Sequence, residues 1–192
     1  MVKGDLMRMS SACGMAAGLA LLAVAAIAGV ASGEDWTQWR GPMFDGASRQ
    51  TGLPTSWGNG QNIAWATPMP GPGNSTPVIL GKRIFLTSAQ ADGLDLYALC
   101  LDLETGKKLW QVKLGTGNKK ILNYNVASPS AVADERAVYV LFGTGDLAAL
   151  DHAGKVLWRR NIEEAYGPVA IKWGYSASPL LYKGKLFLPL LR

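Results

Sequence analysis

The stretch that decides the fold runs Asp95-Leu96-Tyr97-Ala98-Leu99-Cys100-Leu101-Asp102-Leu103-Glu104-Thr105-Gly106-Lys107-Lys108-Leu109-Trp110. It reads as two strands joined by a tight turn and closed by a large aromatic residue. Asp102 can bond its carboxylate to the backbone of the turn it opens, and Gly106 can take the positive φ of a bulged hairpin turn. From Leu94 to Leu101 the residues are apolar at nearly every position rather than every second one, which predicts a strand covered on both faces. A lone hairpin is marginal in water, so the chain must stack further copies of this one.

Copies are present. A small hydroxyl residue followed by Pro heads an apolar run at Thr76-Pro77-Val78, Ser128-Pro129-Ser130 and Ser178-Pro179-Leu180, so the prolines are spaced 52 and 50 residues apart. Trp65, Trp110 and Trp158 recur at intervals of 45 and 48. Between these marks the Asp-to-Gly turn returns, Asp102 to Gly106 and then Asp151 to Gly154. The spacing predicts strands at 76–80, 83–88, 94–103 and 108–114, then at 128–133, 137–142, 146–151 and 156–162, and two more at 178–182 and 185–188. Residues 62–192 show no helical periodicity. Four short strands in about fifty residues are the signature of a propeller blade. Blades pack face to face, which accounts for Val138-Tyr139-Val140-Leu141-Phe142 being apolar throughout. The broad rings of Trp110 and Trp158 are expected to wedge each blade against its neighbour.

The fold class is therefore all-β: a partial propeller of four-stranded antiparallel blades, with an outer strand at 62–68, blades at 74–114 and 126–162, and a half blade at 177–192. Ahead of it, residues 34–61 are rich in turn formers and carry Trp36, Trp39, Phe44 and Trp57. This extended leader is expected to lie against the body, since such rings are costly to leave in water. Residues 1–33 combine Lys3 and Arg8, the apolar run Met15 to Val30 and the small residues Ala31-Ser32-Gly33. They read as an export signal cleaved near Gly33, which places the protein in the periplasm or outside the cell, with no stable membrane insertion after cleavage. Cys13 precedes the apolar run instead of following it, so a lipoprotein is not expected.

Composition excludes several classes. Of the 192 residues, removing the first 33 leaves 159, and losing Lys3, Arg8 and Asp5 takes the net charge from +5 to +4. This mild, dispersed charge does not mark a nucleic-acid groove. Cys100 alone remains, inside the densest apolar strand, where a buried inert thiol is expected and no internal disulfide can form. His152 is the only histidine. It falls in the turn between Asp151 and Gly154, and neither a Ser–His nor a Cys–His arrangement forms around it.

Residues 96–110 also resemble the repeat of the pyrrolo-quinoline-quinone-like β-propellers, whose recurring marks are Asp, Thr-Gly and a terminal Trp. Leu147-Ala148-Ala149-Leu150-Asp151 with Gly154-Lys155-Val156-Leu157-Trp158 is a shorter version without the Thr. Trp36-Thr37-Gln38-Trp39-Arg40-Gly41-Pro42 is similar to the start of exported bacterial members. The resemblance implies one of two roles: a quinone-dependent alcohol or sugar dehydrogenase, or a non-enzymatic propeller such as the periplasmic lipoprotein that helps assemble outer-membrane barrels. The dehydrogenases hold pyrroloquinoline quinone and calcium with an acidic residue and an Asn, beside a catalytic Asp, and often carry a disulfide between adjacent cysteines. This sequence has no adjacent Cys pair and no Asp, Asn and Glu set spaced as a calcium loop. No catalytic, cofactor or metal residue carries over.

Eight blades, the family's usual number, need on the order of 400 residues at this spacing. The sequence is thus expected to be a fragment, with an apolar open blade edge that invites self-association. The connections from the last strand of one blade to the first of the next converge at the mouth of a propeller's channel. Here they are 115–127, with Asn123, Tyr124 and Asn125, and 163–177, with Tyr166, Lys172, Trp173 and Tyr175. Their mix of rings, amides and charge marks them as candidate binding loops for a protein partner. The first expectation is an exported non-catalytic binding or assembly scaffold; the second is the amino-terminal piece of a quinoprotein dehydrogenase.

Overall fold

A computed structural model describes residues 33–90, 95–117, 126–169 and 175–190. Residues 1–32, where an export signal is expected, lie outside this range. Two four-stranded antiparallel meanders and a two-stranded hairpin make up the body. Blade 1 comprises β1 (Val78–Leu80), β2 (Arg83–Ala89), β3 (Asp95–Asp102) and β4 (Lys108–Thr116). Blade 2 comprises β5 (Val132–Ala133), β6 (Val138–Leu141), β7 (Asp146–Leu150) and β8 (Val156–Asn161). A hairpin of β9 (Leu180–Tyr182) and β10 (Lys185–Phe187) begins a third blade.

β3 is buried on both faces, as its uninterrupted apolar run requires. Leu96, Ala98 and Cys100 join Val78 and Phe85 to face Ala131, Val138, Val140, Ala148 and Leu150 of blade 2 in one core. Leu99 and Leu101, on the opposite face, are also buried. Burial pushes the Cys100 thiol up to about 11, so it is protonated and inert at neutral pH.

The hairpin turns form as the sequence implies. Asp102 Oδ1 accepts from the Thr105 amide at 2.8 Å, the Thr105 hydroxyl at 2.7 Å and the Glu104 amide at 3.2 Å, while Gly106 takes φ +68°. The second copy lacks the Thr, and Asp151 Oδ1 accepts only backbone amides, from Ala153 and Lys155, each at 2.9 Å. Each turn receives a tryptophan from the preceding unit. Trp65 donates its indole N–H to Leu103 O at 3.0 Å, and Trp110 donates to His152 O at 3.0 Å. The glycines are needed for the close approach as well as for φ: a Cβ on Gly106 would lie 2.3 Å from the Trp65 ring, and one on Gly154 2.9 Å from Trp110. His152 is half-buried and its Nε2 lies 2.8 Å from Asp134 O, so it ties two turns of blade 2 together instead of standing free in one.

Four expectations need correction. The first strands are shorter than expected, starting at Val78, Val132 and Leu180. Residues flanking the prolines at their heads bond to side chains of the next unit: the Thr76 amide donates to Ser130 Oγ and the Ser130 amide to Ser178 Oγ, both at 2.9 Å. Residues 62–68 form no strand, because among the described residues no neighbour offers them a ladder; Trp65 and the Thr67 hydroxyl, which donates to Gly106 O at 2.6 Å, hold them instead. Among the described residues one helix interrupts the all-β pattern, α1 (Ile162–Tyr166), a single capped turn too short to show a period. The leader's rings do not anchor it as a set: Trp36 is half-buried, but Trp39, Phe44 and Trp57 are largely exposed.

The Asp35 carboxylate accepts from the Gly81 amide through Oδ1 at 2.7 Å. The leader is otherwise held through its backbone: Trp36 exchanges both hydrogen bonds with Ile79 (2.9 and 2.8 Å), and Thr37 O accepts from the Ala133 amide at 2.9 Å. These groups of β1 and β5 point away from β2 and β6, so the leader crosses the inner edges of both blades.

Candidate functional site

An antiparallel meander places its connections alternately at its two ends. The turns at 81–82, 102–106, 134–136 and 151–154, together with the leader, belong to one end; the connections between blades belong to the other. This loop end carries Tyr166 and Tyr175 of the residues singled out above. Asn123, Tyr124, Asn125, Lys172 and Trp173 lie outside the described residues. Tyr166 closes α1 and is 54% exposed. Tyr175 is 3% exposed and packs with Leu141, Leu147 and Ile162, so its ring covers the end of blade 2. Its hydroxyl is buried with no hydrogen-bond partner, and burial raises its pKa. Tyr166 and Tyr175 therefore do not form one surface.

A cleft of about 250 Å³ opens at the same end along the seam between the blades. Leu114 of β4 forms one wall, and Asp146, Leu147, Arg159 and Asn161 of β7 and β8 form the other. Arg159 closes the seam, donating from Nη1 to Leu114 O at 3.2 Å and from Nη2 to Lys113 O at 3.0 Å. Lys113 in turn pairs with Asp95 at 2.7 Å, and this contact, aided by the Tyr97 hydroxyl, holds the Asp95 carboxyl below the usual range.

Asp146 and Asn161 form the polar floor. The Thr144 hydroxyl donates to Asp146 Oδ2, and Asn161 Nδ2 donates to Asp146 Oδ1 at 3.2 Å. Asn161 Oδ1 accepts from the Glu163 and Glu164 amides at 3.0 and 3.2 Å, capping α1, whose first turn holds both acids as the helix dipole favours. Gly145, at φ +85°, sits against Ile162 and Asn161. Sequence reasoning passed over this cluster. Its cue was Asn161 followed by Ile162-Glu163-Glu164, the pattern of a helix start.

The arrangement fixes loops and offers polar contacts. Both Asp146 oxygens and the Asn161 carbonyl accept hydrogen bonds within the fold. Among the described residues no three His, Cys, Asp or Glu side chains lie together as metal ligands. Among the described residues no helix is long and apolar enough to cross a membrane.

Comparison with known proteins bears on the whole range. The family model described as outer membrane protein assembly factor BamB matches residues 51–187. A polyvinylalcohol dehydrogenase from a Pseudomonas species is 28% identical over 129 residues, covering 67% of this chain and 18% of that protein. Among solved structures, BamB from Moraxella catarrhalis aligns with TM-score 0.46 and 21% identity, over 64% of this chain and 36% of that one. Quinohemoprotein alcohol dehydrogenase from Comamonas testosteroni aligns with TM-score 0.43 and 20% identity, over 60% of this chain and 17% of that one. The chain thus spans well under half the length of each of these proteins. Because the family model covers more than half of the chain, over the same residues that form the blades, the chain belongs to the BamB-like family of pyrrolo-quinoline-quinone-like propeller repeats.

Proposed function

We propose that this chain is an exported, non-catalytic propeller segment that serves as a binding or assembly scaffold for protein partners in the periplasm, with the loop end as its contact face. The observation that carries this reading is the match of residues 51–187 to a family described by outer membrane protein assembly. The exposure of Tyr166 at the loop end is consistent with it. A photo-crosslinking residue placed at position 166 of the full chain tests it in a Gram-negative host. The expected result is an adduct with a component of the outer-membrane assembly machinery; its absence, together with normal export, counts against the reading.

The 28% identity to a polyvinylalcohol dehydrogenase favours a second reading, a segment of a quinone-dependent dehydrogenase that works with pyrroloquinoline quinone and calcium. Dye reduction by the purified chain with an alcohol, dependent on added quinone and calcium, would establish that reading and overturn the first.

A further inference from the structure

The leader fills the inner edges of β1 and β5 with little to hold it there. Among the described residues, four hydrogen bonds tie residues 34–46 to the blades: the two that Trp36 exchanges with Ile79, the Ala133 amide to Thr37 O, and the Gly81 amide to Asp35 Oδ1. Beyond Thr37 the leader bonds to itself. The Gly41 amide donates to Gln38 O and the Gln38 side chain to Gly41 O, while Arg40 donates to Asp45 O and the Gly46 amide to Arg40 O. The Trp36 ring lies over the leader's own Gly41, where a Cβ would come within 2.7 Å of it. Phe44 holds a left-handed φ of +60°, which a side chain disfavours.

The blades' half of this contact is selective at one position. Ile79 and Ala133 lie in strands of three and two residues whose other edges pair with β2 and β6, so they offer backbone groups that an extended chain of any sequence satisfies. The Gly81 amide instead takes a carboxylate, and the two residues after it are basic. Lys82 pairs with Glu104 at 2.9 Å, and Arg83 adds a second positive charge to the same turn.

We propose that this inner edge is a strand-addition site for an extended acidic segment of a protein partner, and that the leader is a displaceable strap occupying it in cis. The incoming segment places an Asp or Glu at the Gly81 amide and bonds through its backbone to Ile79 and Ala133, as residues 35–37 do. Charge complementarity with Lys82 and Arg83 sets the acidic requirement. Release of the strap breaks four hydrogen bonds along one edge, relieves the backbone of Phe44 and leaves the strand ladders of both blades intact. The site belongs to the turn end and is separate from the loop-end contact face.

The test uses the full chain and a fluorophore-labelled peptide of residues 33–38, with binding read by anisotropy. In the parent chain the leader competes, so the apparent affinity is reduced by the fraction of molecules whose edge is occupied. Trp36→Pro in the chain removes a leader donor and should tighten peptide binding on the order of tenfold. Asp35→Asn in the peptide should weaken binding several-fold, and Trp36→Pro in the peptide should abolish it. In the parent alone, the Ile79 and Ala133 amides should exchange hydrogen at least about tenfold faster than those of β3. The proposal fails if the peptide does not bind the Trp36→Pro chain, if circular dichroism shows that chain to be unfolded, or if the Asn peptide binds as well as the original. It also fails if Ile79 and Ala133 are as protected as β3, or if sedimentation shows leaders exchanging between two copies instead of yielding to the peptide.

Discussion

The turn end and the loop end of the blades use their polar residues differently. At the turn end, Asp102 and Asp151 spend their carboxylates on amides a few residues away, and the leader ties Ile79 and Ala133 through backbone groups. At the loop end, Arg159 reaches 45 residues back to Leu114 and Asn161 reaches 15 residues back to Asp146, while Asn161 also caps α1 locally. The turn carboxylates recur with the repeat and make an end whose shape is set by architecture. The loop-end residues do not recur, and they make an end whose shape depends on what each loop carries, which is where recognition can vary without disturbing the fold.

The largest test of this contrast is Trp110→Ala. It removes a ring that seats a whole turn and should cost about 3 to 5 kcal/mol in urea denaturation. A loss as small as that of a surface substitution would show that the turn end does not hold the blades together. Gly154→Ala forces a side chain into positive φ beneath Trp110 and should cost about 1 to 3 kcal/mol on the same assay. At the loop end, Asn161→Ala removes the cap of α1 and a partner of Asp146, and about 1 kcal/mol is expected, with the turn end unchanged by hydrogen exchange.

The smallest expected effect is one of pH. Hydrogen bonds from Thr105 lower the Asp102 carboxyl below its ordinary value, and Lys113 does the same for Asp95. Each group therefore contributes stability that is complete above the ordinary carboxylate range and is lost as pH falls through the lowered folded-state pKa. Denaturation midpoints should drop on acidification through that window, and less so in Asp102→Asn. An unchanged acid slope in that variant would remove the turn carboxylate from the account.

Much of the turn end was legible because its causes are local. Asp102, Thr105 and Gly106 lie within five consecutive residues, and the recurrence of Trp65, Trp110 and Trp158 gives the stacking interval directly. The loop end was less legible because Thr144, Asp146 and Asn161 meet only after β7 and β8 have paired. The leader's seat was hidden for another reason: Trp36 and Ile79 meet through backbone groups, which every residue possesses, so no side-chain pattern announces the pairing. Exposed rings such as Trp39 and Trp57 then drew attention to the wrong atoms.

That leader has a kinetic consequence. Trp36 must close a loop to Ile79, and Thr37 one to Ala133, before either gains a hydrogen bond. Such long closures come late in folding, because their entropy must be offset by elements that have already formed. During synthesis residues 35–37 leave the ribosome ahead of both blades, yet their binding groove exists only once β5 has paired. Docking of the leader thus reports that two consecutive blades are in place, and until then Ile79 and Ala133 present open strand edges to whatever chaperone or partner is nearby.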